Sequence, residues 1–157
     1  MAEEGLVKFQ LVSFERLSSF PGYDDLVREY IDETASAVVP YPGEQRSRYL
    51  ELDRENRLRC IAVVTEEGVL AGLAILLVTQ SQHYPFPMLG IDSLYLRKPW
   101  RKGRTGLDLL GGIKAVVAKE GAPGFPIMAP PGSPLDRICR ARSYSKTHNC
   151  YWCSCHE

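Results

Sequence analysis

The sequence predicts one α/β domain over residues 1–157. Three observations carry that prediction. Apolar residues recur at helical spacing between Asp24 and Val39 and again between Thr105 and Lys119. The centre of the chain, from Leu58 to Thr79, instead holds two short aliphatic runs of strand length around a turn. Hydrophobic residues make up 45% of the 157 and charged residues 24%, a composition that suits one buried core and excludes a disordered chain.

The elements follow in chain order. Val7, Phe9 and Leu11 alternate within residues 6–14 and predict a first strand. From Asp24 to Val39 the apolar residues Leu26, Val27, Tyr30, Ile31, Ala37 and Val38 lie on a helical stripe, with acids at the start and Pro40 beyond the end. Pro40-Tyr41-Pro42-Gly43 breaks that helix. Glu44–Arg57 is highly charged, with Tyr49, Leu50 and Leu52 as its few anchors, and reads as an exposed helix flanking a site or lid. Leu58–Thr65 and Val69–Thr79 are antiparallel strands joined by the turn Glu66-Glu67-Gly68. Met88–Leu96 adds a third strand to the meander, with Leu89, Ile91, Ser93 and Tyr95 on one face and Gly90, Asp92, Leu94 and Leu96 on the other. Thr105–Lys119 carries the stripe Leu107, Leu110, Ile113, Val116 and Val117, with Gly121 past its end. A strand over Phe125–Ala129, a helix over Pro134–Arg142 and a strand over Ser145–Cys155 complete the order β-α-α-β-β-β-α-β-α-β.

Formal net charge is zero, from 19 basic and 19 acidic side chains, which argues against a whole-domain grip on nucleic acid. Arg97, Lys98, Arg101, Lys102 and Arg104 are nevertheless clustered without an intervening acid, so the rest of the chain is net acidic. One basic spot on an acidic body points to a small anionic ligand rather than a long polyanion. The longest apolar stretch, Val69–Val78, is half a membrane span, and Met1-Ala2-Glu3-Glu4-Gly5 lacks the basic and apolar pattern of an export leader. A cytoplasmic location without a membrane partner is the expectation. The five cysteines, an odd number, are expected as reduced thiols. Cys150, Cys153, Cys155 and His156 have zinc-ligand chemistry, but a regular strand would put Cys153 and Cys155 on one face and Cys150 and His156 on the other, so no metal is expected.

The informative segment is Leu94-Tyr95-Leu96-Arg97-Lys98-Pro99-Trp100-Arg101-Lys102-Gly103-Arg104-Thr105-Gly106-Leu107, where a strand ends in a basic, glycine-containing turn and a helix begins. The first turn of a helix presents unpaired N–H groups and the positive end of the helix dipole, so a pyrophosphate suits this junction. It is not the ATP-binding glycine loop, because no glycine precedes Lys-Ser or Lys-Thr, and the dinucleotide pattern Gly-x-Gly-x-x-Gly is also missing.

The segment resembles the acetyl-CoA signature of the GNAT superfamily of N-acetyltransferases, a Leu-x-Val strand followed by Arg/Gln-x-x-Gly-x-Gly/Ala. Leu94-x-Leu96 matches the strand and Arg101-Lys102-Gly103-Arg104-Thr105-Gly106 the turn, with Arg104 standing where the family usually has glycine. The order of elements over residues 6 to 155 matches as well, and the resemblance implies the GNAT fold, a bent mixed β-sheet flanked by helices. The turn, and Pro131-Gly132-Ser133-Pro134-Leu135 near the end, look similar to GNAT-like proteins encoded by phages and prophages, which would put the protein in a host cytoplasm. The resemblance implies acetyl-CoA as co-substrate and acetyl transfer to a primary amine of a small molecule or protein by direct attack. It also implies that the backbones of Leu94 and Leu96 pair with the pantetheine arm while Arg101, Lys102, Gly103, Arg104, Thr105 and Gly106 hold the pyrophosphate.

Acetyl transfer needs a base for the amine and an acid for the departing thiolate. Asp92 lies on the strand before the turn, where many members of the superfamily place an acid, and apolar neighbours there would raise its pKa; the alternative is an aspartate that hydrogen-bonds a loop. The family's usual acid, a tyrosine on the last helix, is replaced by Cys139, which leaves Tyr144, Ser133 or water, although a tyrosine at position 144 is more often simply a core aromatic. His83 and Tyr84 occupy a loop where acceptors are contacted in this architecture, or are simply exposed; Tyr41 and Tyr49 line an acceptor pocket or anchor a helix. The amine acceptor stays open among a protein N-terminus, a lysine, a polyamine, an aminoglycoside-like amine and a charged tRNA. Arg104 and the missing tyrosine also motivate a different class, a non-catalytic GNAT-fold interaction or virion-associated protein. Tyr151 and Trp152 on the terminal strand would allow a homodimer.

Overall fold

The computed structural model describes residues 6–34, 44–148, 153 and 155. The chain divides into two compact units, residues 1–127 and residues 128–157. The first unit holds β1 (Val7–Val12), α1 (Phe14–Ser18), α2 (Tyr23–Thr34), α3 (Arg46–Arg54), β2 (Leu58–Thr65), β3 (Leu70–Gln80), β4 (Pro87–Leu96), a single 3-10 turn (Lys98–Trp100) and α4 (Thr105–Lys119). The second holds α5 (Pro134–Ala141), started by Ser133, whose side chain accepts from Asp136 N.

The four strands form one antiparallel sheet in the order β1-β2-β3-β4. Gly68, at φ +80°, closes the β2–β3 turn, and Thr65 N donates to Val69 O at 2.9 Å. Cys60 and Ala62 of β2 pair with Ile75 and Leu73 of β3, so these four side chains share one face. That face meets Phe14 and Leu17 of α1, Tyr23 and Leu26 of α2 and Leu52 of α3 in the principal core. Ile61 points to the opposite face, where a Cβ on Gly112 of α4 would come within 3.6 Å of it. Leu109, Leu110, Ile113 and Val117 give α4 its buried stripe.

Helix α1 was not expected, because five residues are too few for a period to show. Its local cause is a capping interaction: Ser13 Oγ accepts from Arg16 N at 3.1 Å. A second acceptor arrives from α3, where Asp53 Oδ2 takes the Phe14 N–H at 2.8 Å. The helix expected over 24–39 is α2, whose described part ends at Thr34; residues 35–39 lie outside the described residues, as does Tyr41.

Three expectations are corrected. Residues 125–129 form no strand, since Pro123, Pro126, Pro130 and Pro131 remove the donors a ladder needs. Residues 145–148 have no regular structure, and of the rest of the expected terminal strand only Cys153 and Cys155 are described, both exposed; Cys150, Tyr151, Trp152 and His156 lie outside the described residues. The alternation along β4 breaks. Ile75 pairs with Ser93 but Leu76 pairs with Ile91, so Asp92 is an extra residue bulged out of the ladder. Ser93 and Tyr95 therefore share the face covered by α1, α2 and α3 with Ile75 and Leu73, whereas Leu89 and Ile91 turn to the opposite face with Val78 and Leu76.

Close approach of β3 and β4 just beyond the bulge depends on Gly72, which pairs with Leu96. A Cβ there would stand 2.9 Å from Tyr95 O and 2.7 Å from Leu96 Cδ1. Gly72→Ala is expected to destabilise the fold by about 1–3 kcal/mol, the usual cost of overpacking, because the blocking atom is backbone. Chemical unfolding measures it, and a variant as stable as the wild type would show that β4 shifts freely.

Candidate functional site

Strand β4 has two unlike edges. Arg97 N donates to Ala71 O at 2.9 Å, so the antiparallel alternation turns the backbone of Arg97 and Tyr95 towards β3 and that of Leu96 and Leu94 outward. Among the described residues no strand pairs with that outward edge. Arg101 Nε donates to the outward Leu96 carbonyl at 2.6 Å.

Beyond β4 the chain makes its 3-10 turn, passes Gly103 at φ +65° and enters α4 through Arg104 as N-cap. Arg104 provides no side-chain cap, and the first intrahelical bond is Asp108 N to Arg104 O at 2.9 Å. The N–H groups of Thr105, Gly106 and Leu107 are thus the helix's unpaired donors. A Cβ on Gly106 would meet nothing within 4 Å, so a ligand can approach this backbone closely. Lys102 and Arg104 are exposed beside it; Arg104 keeps 77% of its side chain exposed and reaches only a loose 3.8 Å pairing with Asp108.

Two arginines of the basic run turn the other way. Arg97 pairs with Glu29 at 2.5 Å, and Arg101 pairs with both Glu33 oxygens at 2.6 and 2.8 Å, leaving 24% and 26% of these arginine side chains exposed. Tyr95 OH also donates to Glu33, at 3.0 Å, and the Arg101 guanidinium lies 5.0 Å from the Tyr95 ring centroid. Arg101's hydrogen bonds hold the Glu33 carboxyl below its ordinary value, with the Tyr95 hydroxyl adding to that and partial burial opposing it. Burial, then the Glu33 bond, pushes Tyr95 up. Glu29 and Glu33 escaped the sequence reading, although their spacing of four on a helix matches the spacing of Arg97 and Arg101.

The bulge sets Asp92 out of the sheet. It is exposed, and its Oδ2 accepts from Tyr49 OH at 2.6 Å and from Ser93 Oγ at 3.1 Å, so two hydroxyls stand where an apolar surround was expected. Tyr49 and Ser93 also line a cavity of about 20 Å³, the size of one water, together with Tyr23, Tyr30, Glu44 and Leu73. Tyr49 thus has a position next to Asp92 as well as a packing role, stacked 4.9 Å from Phe14.

The remaining candidates are elsewhere. His83 and Tyr84 sit at the tip of the β3–β4 hairpin, both N–H groups on Ser81 Oγ at 3.1 Å, with Tyr84 stacked on Phe86. Five strand residues, about 17 Å at the usual rise, separate that tip from Asp92. Tyr144 is in the second unit, 48% exposed rather than packed in a core, and its N–H donates to Cys139 O. Burial raises the Cys139 thiol above its ordinary value. Among the described residues no group of three or more His, Cys, Asp or Glu is placed to hold a metal ion.

No protein-family model matches the sequence, and no curated protein does. Solved structures do match. An aminoglycoside acetyltransferase from an uncultured soil metagenomic sample, in complex with trehalose, superposes with a TM-score of 0.69 at 14% identity over 94% of this chain and 96% of that one. The ribosomal-protein-alanine N-acetyltransferase of Brucella melitensis biovar Abortus 2308 gives 0.69 at 11% identity, over 95% and 99%. AAC(6')-Iy, in complex with the bisubstrate analog CoA-S-monomethyl-acetylneamine, gives 0.66 at 11% identity, over 95% and 97%. The chain has the GNAT fold. In this GNAT-fold chain the described residues contain no helix long and apolar enough to cross a membrane.

Because Glu33 has a depressed folded-state pKa, it stabilises the fold above its unfolded value of 4.5, and that contribution is lost as pH falls through the depressed folded value. Thermal unfolding from pH 6 down to pH 3 should therefore show a fall in Tm that is shallower in Glu33→Gln. Parallel curves for the two proteins would remove Glu33 from the acid response.

Proposed function

We propose that the protein is an acetyl-CoA-dependent N-acetyltransferase acting on a primary amine. The observation that carries the reading is that β4 presents an outward backbone edge at Leu94 and Leu96, runs into an uncapped helix start, and bulges out Asp92 two residues before Leu94. The residues present fit the co-substrate: three unpaired N–H groups, open space at Gly106 and two exposed cations suit a pyrophosphate, and an outward strand edge suits an amide-bearing arm.

In this reading Leu94 and Leu96 offer backbone groups to the pantetheine arm, and Thr105, Gly106, Lys102 and Arg104 hold the pyrophosphate, with Gly103 shaping the turn. Arg101 acts on the turn's geometry through Leu96 and Glu33. Bound acetyl-CoA would supply the acetyl thioester, whose carbonyl carbon the amine attacks as the carbon–sulfur bond breaks, and the departing thiolate takes up the second proton that the nitrogen sheds. Asp92 accepts a proton from the acceptor's ammonium and so frees the nitrogen lone pair. Both hydroxyl bonds fall on its Oδ2, which leaves Oδ1 to take that proton. The fold likeness to acetyltransferases supports the reaction class.

One observation favours a second reading, a non-catalytic GNAT-fold interaction module such as a phage-derived virion protein. Arg101 Nε occupies the outward Leu96 carbonyl, which places one of the chain's own side chains on the edge assigned to the arm.

Calorimetric titration with CoA separates the two readings. The enzyme reading expects micromolar binding and a loss of about tenfold in the Lys102→Ala, Arg104→Ala double variant, from lost charge-assisted contacts. With a panel of primary amines, release of free CoA thiol should fall about a hundredfold or more in Asp92→Asn while CoA affinity holds. No CoA binding by the wild type would leave the interaction module.

A further inference from the structure

The basic run after β4 divides into two sets by what each side chain meets. Lys98, Lys102 and Arg104 are exposed, whereas Arg97 and Arg101 are paired with carboxylates on a different element, α2. The two pairs repeat the same offset, Glu29 with Arg97 and Glu33 with Arg101, so one helix face clamps two points of the turn. Arg101 carries the densest set of bonds. Its guanidinium spends two N–H arms on Glu33, gives Nε–H to the Leu96 carbonyl and lies over the ring of Tyr95, whose hydroxyl returns to Glu33. Five donors in a rigid plane suit that task, and each bond ties the turn to the strand end or to the helix. Tyr30 adds an aromatic contact between α2 and Tyr95, with ring centroids 5.7 Å apart.

We propose that Glu33, assisted by Glu29, is a positioning residue for the cofactor turn: it holds Arg101 on the end of β4 and thereby presets the backbone of Gly103–Gly106 for an anionic ligand. The inference rests on the acetyl-CoA reading and adds to it that affinity for CoA is set partly from α2. Binding to a preset turn avoids the cost of ordering it on association, so loosening the clamp weakens binding although the exposed cations are unchanged. Arg101 then acts mainly through Glu33, and removing either partner has the same consequence.

The test is a double-mutant cycle on the full chain, with CoA as the titrant in calorimetry at constant salt. Glu33→Gln and Arg101→Gln should each bind CoA about tenfold more weakly, and the double variant should be no weaker than the worse single. Tyr95→Phe, which keeps the ring and deletes one bond to Glu33, should lose about threefold. In turnover assays KM for acetyl-CoA should rise in step in Glu33→Gln while kcat at saturation holds. Wild-type affinity in Glu33→Gln would overturn the proposal, as would losses that multiply to about a hundredfold in the double variant, since Arg101 would then grip the ligand independently. Should Glu33→Gln fail to fold by circular dichroism, Tyr95→Phe decides alone, and wild-type affinity there overturns the proposal. A wild type that does not bind CoA overturns the cofactor reading and this inference together, whereas a wild type that binds beside an unaffected Glu33→Gln overturns only the inference.

Discussion

The break in pairing between β3 and β4 at Asp92 is the constraint from which the candidate site follows. An antiparallel ladder permits a side chain only two directions, and one inserted residue exchanges them for everything beyond it. Before the bulge, Leu89 and Ile91 lie on the face opposite the principal core; after it, Ser93 and Tyr95 join Ile75 and Leu73 against α2. The inserted residue belongs to neither register, so a carboxylate can stand in the open beside a buried core. Without the bulge, the hydroxyls of Ser93 and Tyr95 would face away from α2, and Tyr95 could not reach Glu33.

Electrostatics in the turn serves two ends that net charge conceals. Partly buried, bidentate arginine–carboxylate pairs give geometric specificity, while exposed cations stay open to solvent and, in the proposed function, to an anionic ligand. Arg97 and Arg101 serve the first end and Lys98, Lys102 and Arg104 the second. This division lets a chain of zero formal charge keep a local positive field at the start of α4, where the helix dipole has the same sign.

Much of this was legible in the sequence because it depends on local rules. The hairpin around Gly68, the strand leading into the basic turn and the stripe of α4 each arise from period, turn chemistry or propensity within a dozen residues. Asp92 was legible as a carboxylate on the strand that leads into the turn, and Tyr49 as an aromatic anchor. Their hydrogen bond was not, because it joins residues 43 apart in sequence. The strand expected over 125–129 misled because apolar residues between prolines look like a buried strand until the missing N–H donors are counted.

The sequence by itself determined the class of the fold, the junction of strand, glycine turn and helix, and the basic character of that junction, since backbone conformation and charge are properties of short segments. Tertiary structure decided which arginines are committed and which are open, and which face each β4 residue takes. It also decided that His83 and Tyr84 lie half the length of β4 away from Asp92. The reason is physical: Arg97 and Arg101 are chemically equivalent to Arg104 until a helix some seventy residues earlier presents Glu29 and Glu33 at matching height. A one-residue slip in strand pairing, likewise, is an agreement between two distant segments that neither records alone.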